Sequence, residues 1–455
     1  MGIEREQIQH CVEIVTGRGL TGKLLVGERE IRAEIFSYDK FFYIKGDSPI
    51  HLIAQTGETV SLHDVVVVGT CGGHPSAVYS QSLIANVAIV GHDPWTESDR
   101  VKRVTFSVTH TMPLVRNNER FEGLGRTRYP SAEHLSLFRD KAKGMTLCAG
   151  YSGTWRLDFD VPKDIRPIFE IEFDEPQEIS YYIRRVYHFV CFLSFCLGVK
   201  LRPHNIMIDR LSLDEARQVE EDLYRPPHKV YYVWAEAEID SGDVWGGASP
   251  VLAYDEKELN AFRACLITWM DREAEWRSSY AMMMSSYALS RQVSAERLIN
   301  ACRWFEELPN ARSKPSLAEE HVEEIAAAAS LKAVELGLDA ALRDRIAGSI
   351  KRIKEETAAE RFTRLIAMVE EKFGKGVLPG DTLNHLRKAI QFRGRTAHGH
   401  FYPENDADHR AFLKATLALE ALCCLLTAHD LPIAKAGLER MRANPPVRDY
   451  CNAYE

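Results

Sequence analysis

No pair among the ten cysteines stands in a C-x-x-C arrangement, and their spacing is irregular. Neither a disulfide framework nor a zinc ribbon can be read from them, and reduced thiols in a cytoplasmic setting are expected. No run reaches the roughly 20 apolar residues of a membrane span. The longest, "VYHFVCFLSFCLGV", is broken by His188 and Ser194, so no membrane partner is expected. The opening "MGIEREQIQH" is charged at once and lacks an apolar signal core. Glu6 stands where a myristoylation signal has Ser or Thr. An excess of basic charge is missing too. With 57 Lys+Arg against 65 Asp+Glu, the net charge is −8. That argues against coating nucleic acid by bulk charge, while leaving room for a local basic groove. No G-x-S-x-G, H-E-x-x-H or paired-carboxylate signature stands out. "GRGLTGKLL" fails the phosphate-loop spacing and puts Leu24 after Lys23 where a hydroxyl belongs. Cys71-Gly-Gly-His74 is half a zinc site and His398-Gly-His400 could chelate, but neither has a complementary pair. No metal and no cofactor is therefore expected.

What remains is an ordinary globular composition, 45% hydrophobic and 27% charged, in 455 residues. At roughly 150 residues per domain, that is enough for two or three cores. The first half reads as strands. "GLTGKLLVG", "EIRAEIFSY", "FFYIKGD", "PIHLIAQTG" and "VSLHDVVVVGT" are short β-branched and aromatic runs. "VKRVTFSVTH" and "PIFEIEFDEP" alternate with period two, as half-buried antiparallel strands do. A sandwich or open barrel is predicted. Ile179 to Gly198 reads as a helix with Gly198 as its stop. "VKLRPHNIMIDRLS" and "KVYYVWAEAEI" then return to strand, and "DSGDVWGGASPVL" reads as a linker.

From Asp255 onward the period is helical. Phe362, Leu365, Ile366, Val369 and Phe373 form one stripe, with Gly374 as C-cap. Leu342, Ile346, Ile350 and Ile353 form another, and Leu413 to Leu426 reads as a buried central helix. The predicted layout is α+β and multidomain: a β-rich region over 1–245, a helical connector over 255–310 and a helical bundle over 311–455.

One stretch departs from plain helix patterning. In "TLNHLRKAIQFRGRTAHGH", Asp381 can cap a helix whose stripe is Leu383, Leu386 and Ile390. The next stripe position is Arg393, a costly place for a guanidinium unless it is paired or faces a groove or a partner subunit. Arg393 and His398 make an R-x4-H spacing, and Arg395 to His400 makes a second, with Tyr402 two residues on. The plain alternative is a C-terminal turn whose Arg and His complement the helix dipole.

"R-G-R-T-A-H-G", the polar loop "FYPENDAD" and the apolar helix that follows resemble the HEPN domain, a helical bundle whose signature is Arg, four to six residues, then His. The β-rich first half, "YYIRRVYHFVCFLSFCLGVKL" and the aromatic connector "AEWRSSYAMMMSSYALSRQVSAERLINACRWFEEL" look like the ApeA group. That group joins a β-rich N-terminal domain to a HEPN domain and works in bacterial anti-phage defence, by abortive infection. The resemblance implies a metal-independent endoribonuclease with Arg393 and His398 as the catalytic pair, and Arg395, His400 and Tyr402 as secondary candidates. It implies RNA as substrate, tRNA among the candidates, and a homodimer through the HEPN domain. A phage-derived trigger would act on the N-terminal sensing domain. Arg387 and Lys388 could guide the RNA backbone, and further along the bundle so could Arg343, Lys351, Arg352 and Lys354. Gly394 replaces the polar residue, often Asn, that usually follows the arginine. Two rivals follow: a binding module whose site has lapsed, and a toxin held off by nucleotidylation at Tyr402.

Overall fold

The structure is a computed structural model. It describes residues 10–14, 21–26, 31–37, 49–54, 56–71, 79–108, 110–115, 123–124, 135–154, 163–219, 225–232, 249, 251, 256–352, 355–397 and 405–454. The layout is α+β, an antiparallel sheet region followed by an all-helical one. Two compact units divide the chain: Met1–Leu193 with Leu201–Gly246 and Leu252–Asp271, and Ser194–Lys200 with Gly247–Val251 and Arg272–Glu455.

In the first unit the described strands run β1 (His10–Ile14), β2 (Thr21–Val26), β3 (Ile31–Ser37), β4 (Ile50–Ala54), β5 (Thr59–Cys71), β6 (Tyr79–Gly91) and β7 (Val101–Val108). They continue with β8 (Ser136–Ala142), β9 (Met145–Thr154), β10 (Lys163–Gln177), β11 (Pro203–Asp209) and β12 (His228–Tyr232). The order is β3-β2-β1-β4-β5-β6-β12-β11-β7-β10-β9-β8. The first half of β6 also pairs with β3, Ile31 against Ala85 through Ser37 against Tyr79. That second ladder closes six strands into a barrel, which removes two free edges. The end of β6 passes on to β12, Val87 to Val90 against Tyr232 to Lys229, and carries the sheet onward. Alternate residues of these strands fill the barrel, among them Leu24, Ile35, Leu52, Leu62 and Leu83. The open-barrel reading is thus refined by closure, and β1, β6, β8 and β9 are strands it did not single out. "FFYIKGD" lies outside the described residues.

Helix α1 (Ile179–Leu197) follows β10. Its Phe189 ring meets Phe106 at 5.4 Å and Phe169 at 5.2 Å, edge-on and tilted. Gly198 adopts φ 67 and ends the helix; its N–H bonds to the Phe195 carbonyl, and that of Val199 to Ser194. Helix α2 (Glu256–Asp271) packs Phe262 and Trp269 against Phe192, and the Trp269 indole donates to the His188 carbonyl at 3.0 Å.

The second unit contains α3 (Glu273–Ala288), α4 (Ala295–Glu307), α5 (Glu319–Glu335), α6 (Ala340–Arg352), α7 (Ala358–Phe373), α8 (Thr382–Ala397), α9 (Asp406–His429), α10 (Lys435–Arg440) and α11 (Pro445–Tyr454). Helix α9 is its core: every residue from Ala415 to Ala428 is buried. It is long and apolar enough to cross a membrane by length and composition, with a mean hydropathy of 1.7, yet 83% of that window is buried inside the fold. The stripe of α7 behaves as its spacing predicts, with Phe362, Leu365 and Val369 buried, and Gly374 caps it at φ 95.

An ion pair sits in this core. Glu420 of α9 is 4% exposed and Arg297 of α4 is 5% exposed. They pair through two bonds, Nε to Oε1 at 2.9 Å and Nη2 to Oε2 at 2.7 Å, and the Ser286 hydroxyl donates to Oε1 at 2.7 Å. A buried carboxylate is tolerable only with its lone pairs satisfied in this way. Arg297→Met is expected to destabilise the chain by about 3–5 kcal/mol, because it strands Glu420. Adding Glu420→Leu should recover most of that loss. Urea titrations of the full chain, followed by tryptophan fluorescence, check both; equal stability of Arg297→Met and wild type would remove the pair from any structural role.

Candidate functional site

Helix α8 begins where Asp381 accepts, through its backbone carbonyl, from the N–H groups of Asn384 and His385. Its buried face is Thr382, His385, Leu386, Ala389 and Phe392. The Tyr450 hydroxyl of α11 pins the first turn, 3.0 Å from Thr382 Oγ1 and 2.9 Å from His385 Nδ1. Burial holds the His385 ring below its ordinary pKa, against the raising effect of Asp381. At the other end Phe392 packs on Phe412 of α9 at 5.6 Å. These contacts set the rotation of α8 and hence the direction of Arg393.

The stripe reading placed Arg393 on the core-facing side. The structure corrects this: the buried face passes through Phe392, and Arg393 stands at its margin with a side chain 40% exposed. Its fork meets the carboxylate of Glu306 at the end of α4 in a two-bond pair, with Nη2 to Oε2 at 3.2 Å and Nη1 on Oε1. The pair faces a cleft of about 90 Å³ whose walls include Cys302, Arg361 and Ile390. Arg361 stacks its guanidinium over the Phe305 ring at 4.3 Å, and its Nε donates to the Ala311 carbonyl at 2.6 Å. Burial lowers the Arg361 pKa, opposed by Glu356 and more weakly by Glu306. Two guanidiniums therefore share one cleft with one carboxylate. The Cys302 thiol beside them is pushed up to about 12, by burial first, so it is no nucleophile here.

The helix runs to Ala397. His398, His400 and Tyr402 lie outside the described residues, as does His74. Arg395 is exposed, Arg387 is exposed and Lys388 is half-buried. At 100° per residue these three lie roughly 120–160° around the helix from Arg393. The structure thus groups Arg393 with Arg361 and Glu306, and leaves Arg387, Lys388 and Arg395 on other faces. Arg343 is half-buried on α6, while Lys351, Arg352 and Lys354 are not described at side-chain level. Among the described residues no cluster of three or more His, Cys, Asp or Glu could hold a metal ion. Trp269, Trp276 and Tyr280 are buried in the packing. Glu306 and Arg361 were not singled out from the sequence, and nothing in their spacing could mark them; Glu306 stands 87 residues from its partner.

Residues 26–244 match a family model, the ApeA N-terminal domain 1. This segment is similar to that domain, and it takes in β3 to β12 and α1. The similarity agrees with the resemblance drawn from the strand pattern, and it ends before the helices that carry Arg393. No curated protein and no solved structure matches the chain.

Gly394 lies inside α8, and among the described residues a Cβ built there would meet nothing within 4 Å. The missing side chain is therefore not excluded by packing. Gly394→Ala is expected to stabilise the chain by about 0.5–1 kcal/mol through helix propensity alone. A thermal melt checks this; a loss of stability would mean that the glycine is needed by groups around the motif.

Proposed function

We propose that the chain is an ApeA-like anti-phage defence protein whose helical region is a HEPN-type ribonuclease acting through Arg393 and His398. The observation that carries the nuclease reading is the fork of Arg393. It already holds an oxyanion, the Glu306 carboxylate, in the planar two-bond geometry that a phosphodiester also accepts. Support for the defence reading comes from the similarity of residues 26–244 to the ApeA N-terminal domain.

In this mechanism the ribose 2′-oxygen attacks the adjacent phosphorus as His398 takes its proton. The bond to the 5′-oxygen breaks, that oxygen leaves as a hydroxyl by taking a proton from water, and the His398 imidazolium returns to the solvent the proton it took. The products are a 2′,3′-cyclic phosphate and a 5′-hydroxyl. Arg393 holds the non-bridging oxygens as charge builds on them. DNA lacks the attacking group, so RNA is the substrate class. One arginine and one histidine are few for this work, and a two-fold pairing of helical regions would bring both motifs to one cleft. Apolar residues left exposed on α5 and the turn to α6, among them Ile325, Leu331 and Leu336, give a second copy something to cover. The reading of a lapsed binding module rests on Gly394.

His398→Ala is expected to lower cleavage of a defined RNA oligonucleotide by about 10²-fold or more, the usual contribution of general acid–base catalysis. Arg393→Lys should also be impaired, since a point charge cannot replace the fork. Cleavage should persist in EDTA and leave cyclic phosphate ends by mass spectrometry. Dependence on Mg²⁺ with 5′-phosphate ends would defeat the mechanism, and full activity of His398→Ala would defeat the assignment. Glu306→Gln releases Arg393 from a competing carboxylate. RNA binding should tighten by up to about fivefold, because exposed pairs are worth about 0–1 kcal/mol. Weaker binding would instead make Glu306 a positioning residue.

A further inference from the structure

We propose that Arg361 is a second phosphate-holding residue of the cleft at Arg393, so that one backbone phosphate of the RNA is gripped by two guanidiniums. This role rests on the ribonuclease reading for its ligand, and it adds a residue that stands outside the R-x4-H spacing.

The guanidinium of Arg361 is fixed before any ligand arrives. One face lies on the Phe305 ring at 4.3 Å, and Nε donates to the Ala311 carbonyl at 2.6 Å. Phe305 is itself held, 5.2 Å from the Phe362 ring. Stacking covers a face and leaves the N–H groups in the plane free to bond. The two Nη groups have no hydrogen-bond partner among the described residues, and neither is sealed from solvent. Burial lowers the Arg361 pKa, yet an arginine keeps its proton. A half-buried cation with only its Nε–H engaged calls for an acceptor.

The carboxylates around it do not meet that demand. Glu356 accepts from Arg364 on both oxygens, from Nε at 3.0 Å on Oε2 and from Nη2 on Oε1. Glu306 accepts from Arg393 on both of its own. The Cys302 thiol, pushed up to about 12, stays protonated and adds no charge. The wall of the cleft therefore carries two guanidiniums against one carboxylate, a net positive charge.

Size narrows the ligand. The cleft holds about 90 Å³, well under the roughly 300 Å³ at which pockets take whole small ligands. A phosphate group enters such a space; a base with its sugar does not. Ala358, Phe362 and Ile390 make the rest of the wall apolar, so charge is less screened there than on an open surface. The contact is to the backbone of the strand and carries no sequence preference.

Fluorescence anisotropy of the full chain with a 2′-O-methyl RNA oligonucleotide, which the 2′-hydroxyl route cannot cut, measures binding across a range of salt concentrations. Arg361→Gln is expected to weaken binding about tenfold. It should also flatten the slope of log K against log salt by about 0.7, the share of one phosphate contact on a single strand. Lys141→Gln, at an exposed lysine of β8, should change neither. If Arg361 only braces Ala311, its loss alters stability or affinity and leaves the salt slope at the wild-type value, which overturns the role. The wild-type chain gives a second reading that needs no variant. Phenylglyoxal should label Arg361 in the free chain, and bound oligonucleotide should block it, as read by mass spectrometry of the peptide. Arg361 unlabelled in the free chain, or labelled equally with and without the oligonucleotide, also overturns the role, as does a wild type that binds no oligonucleotide. A wild type that binds the oligonucleotide through Arg361 but cuts no unmodified RNA refutes the nuclease reading and leaves the phosphate site standing.

Discussion

A carboxylate in the middle of a buried helix fixes the helical unit. Glu420 has no route to water, so the fold must deliver a matched fork to it, and Arg297 of α4 is that fork. The pair allows α4 little freedom to slide or rotate against α9, since a shift of one residue would leave two buried charges unmet. Helix α4 then carries the constraint onward. Glu306 lies nine residues further along it, about 13 Å at 1.5 Å per residue. Arg393 reaches a carboxylate on a helix that Arg297, with the packing of Trp304 and Phe305, holds in place. The candidate site rests on this core ion pair as much as on its own residues.

Much of the fold was legible because period carries burial. Alternation in "VKRVTFSVTH" and "PIFEIEFDEP" marks β7 and β10, and the apolar spacing of Phe362, Leu365 and Val369 marks the inner face of α7. A glycine after each of α1 and α7 gave their ends. What stayed hidden depends on distant pairing. Barrel closure is a ladder between β3 and β6, and no local pattern says that two strands so far apart in sequence share an edge. In β5, Leu62 and Val65 both fill the barrel although strict alternation would part them, and this break at Asp64, φ 53, is hidden for another reason. It lies in a strand whose composition is ordinary, and only a left-handed aspartate reveals it.

The surroundings of the candidate site were legible in part. Arg393 was marked by an apolar stripe that ended in a guanidinium, which physical reasoning flags as needing a partner. The stripe reading erred by one position on the helix: Phe392 takes the buried place, and Arg393 is turned to the margin by about 100°. The partner, Glu306, belongs to another helix and had no signal of its own.

Two Arg–Glu pairs thus each have one member on α4, and exposure separates their roles. Both use the planar fork of arginine against a carboxylate. At Arg297 and Glu420 both partners are buried, so no competing ion can enter and opening the pair would cost several kcal/mol. At Arg393 and Glu306 the side chains are 40% and 43% exposed, water screens the attraction, and the pair is worth at most about 1 kcal/mol. Under the proposed ribonuclease reading, the non-bridging oxygens of an arriving phosphodiester would take the fork from Glu306 without disturbing α4, because α4 is held elsewhere. The buried pair supplies the rigidity and the exposed one the exchange, and the role proposed for Arg393 would need both.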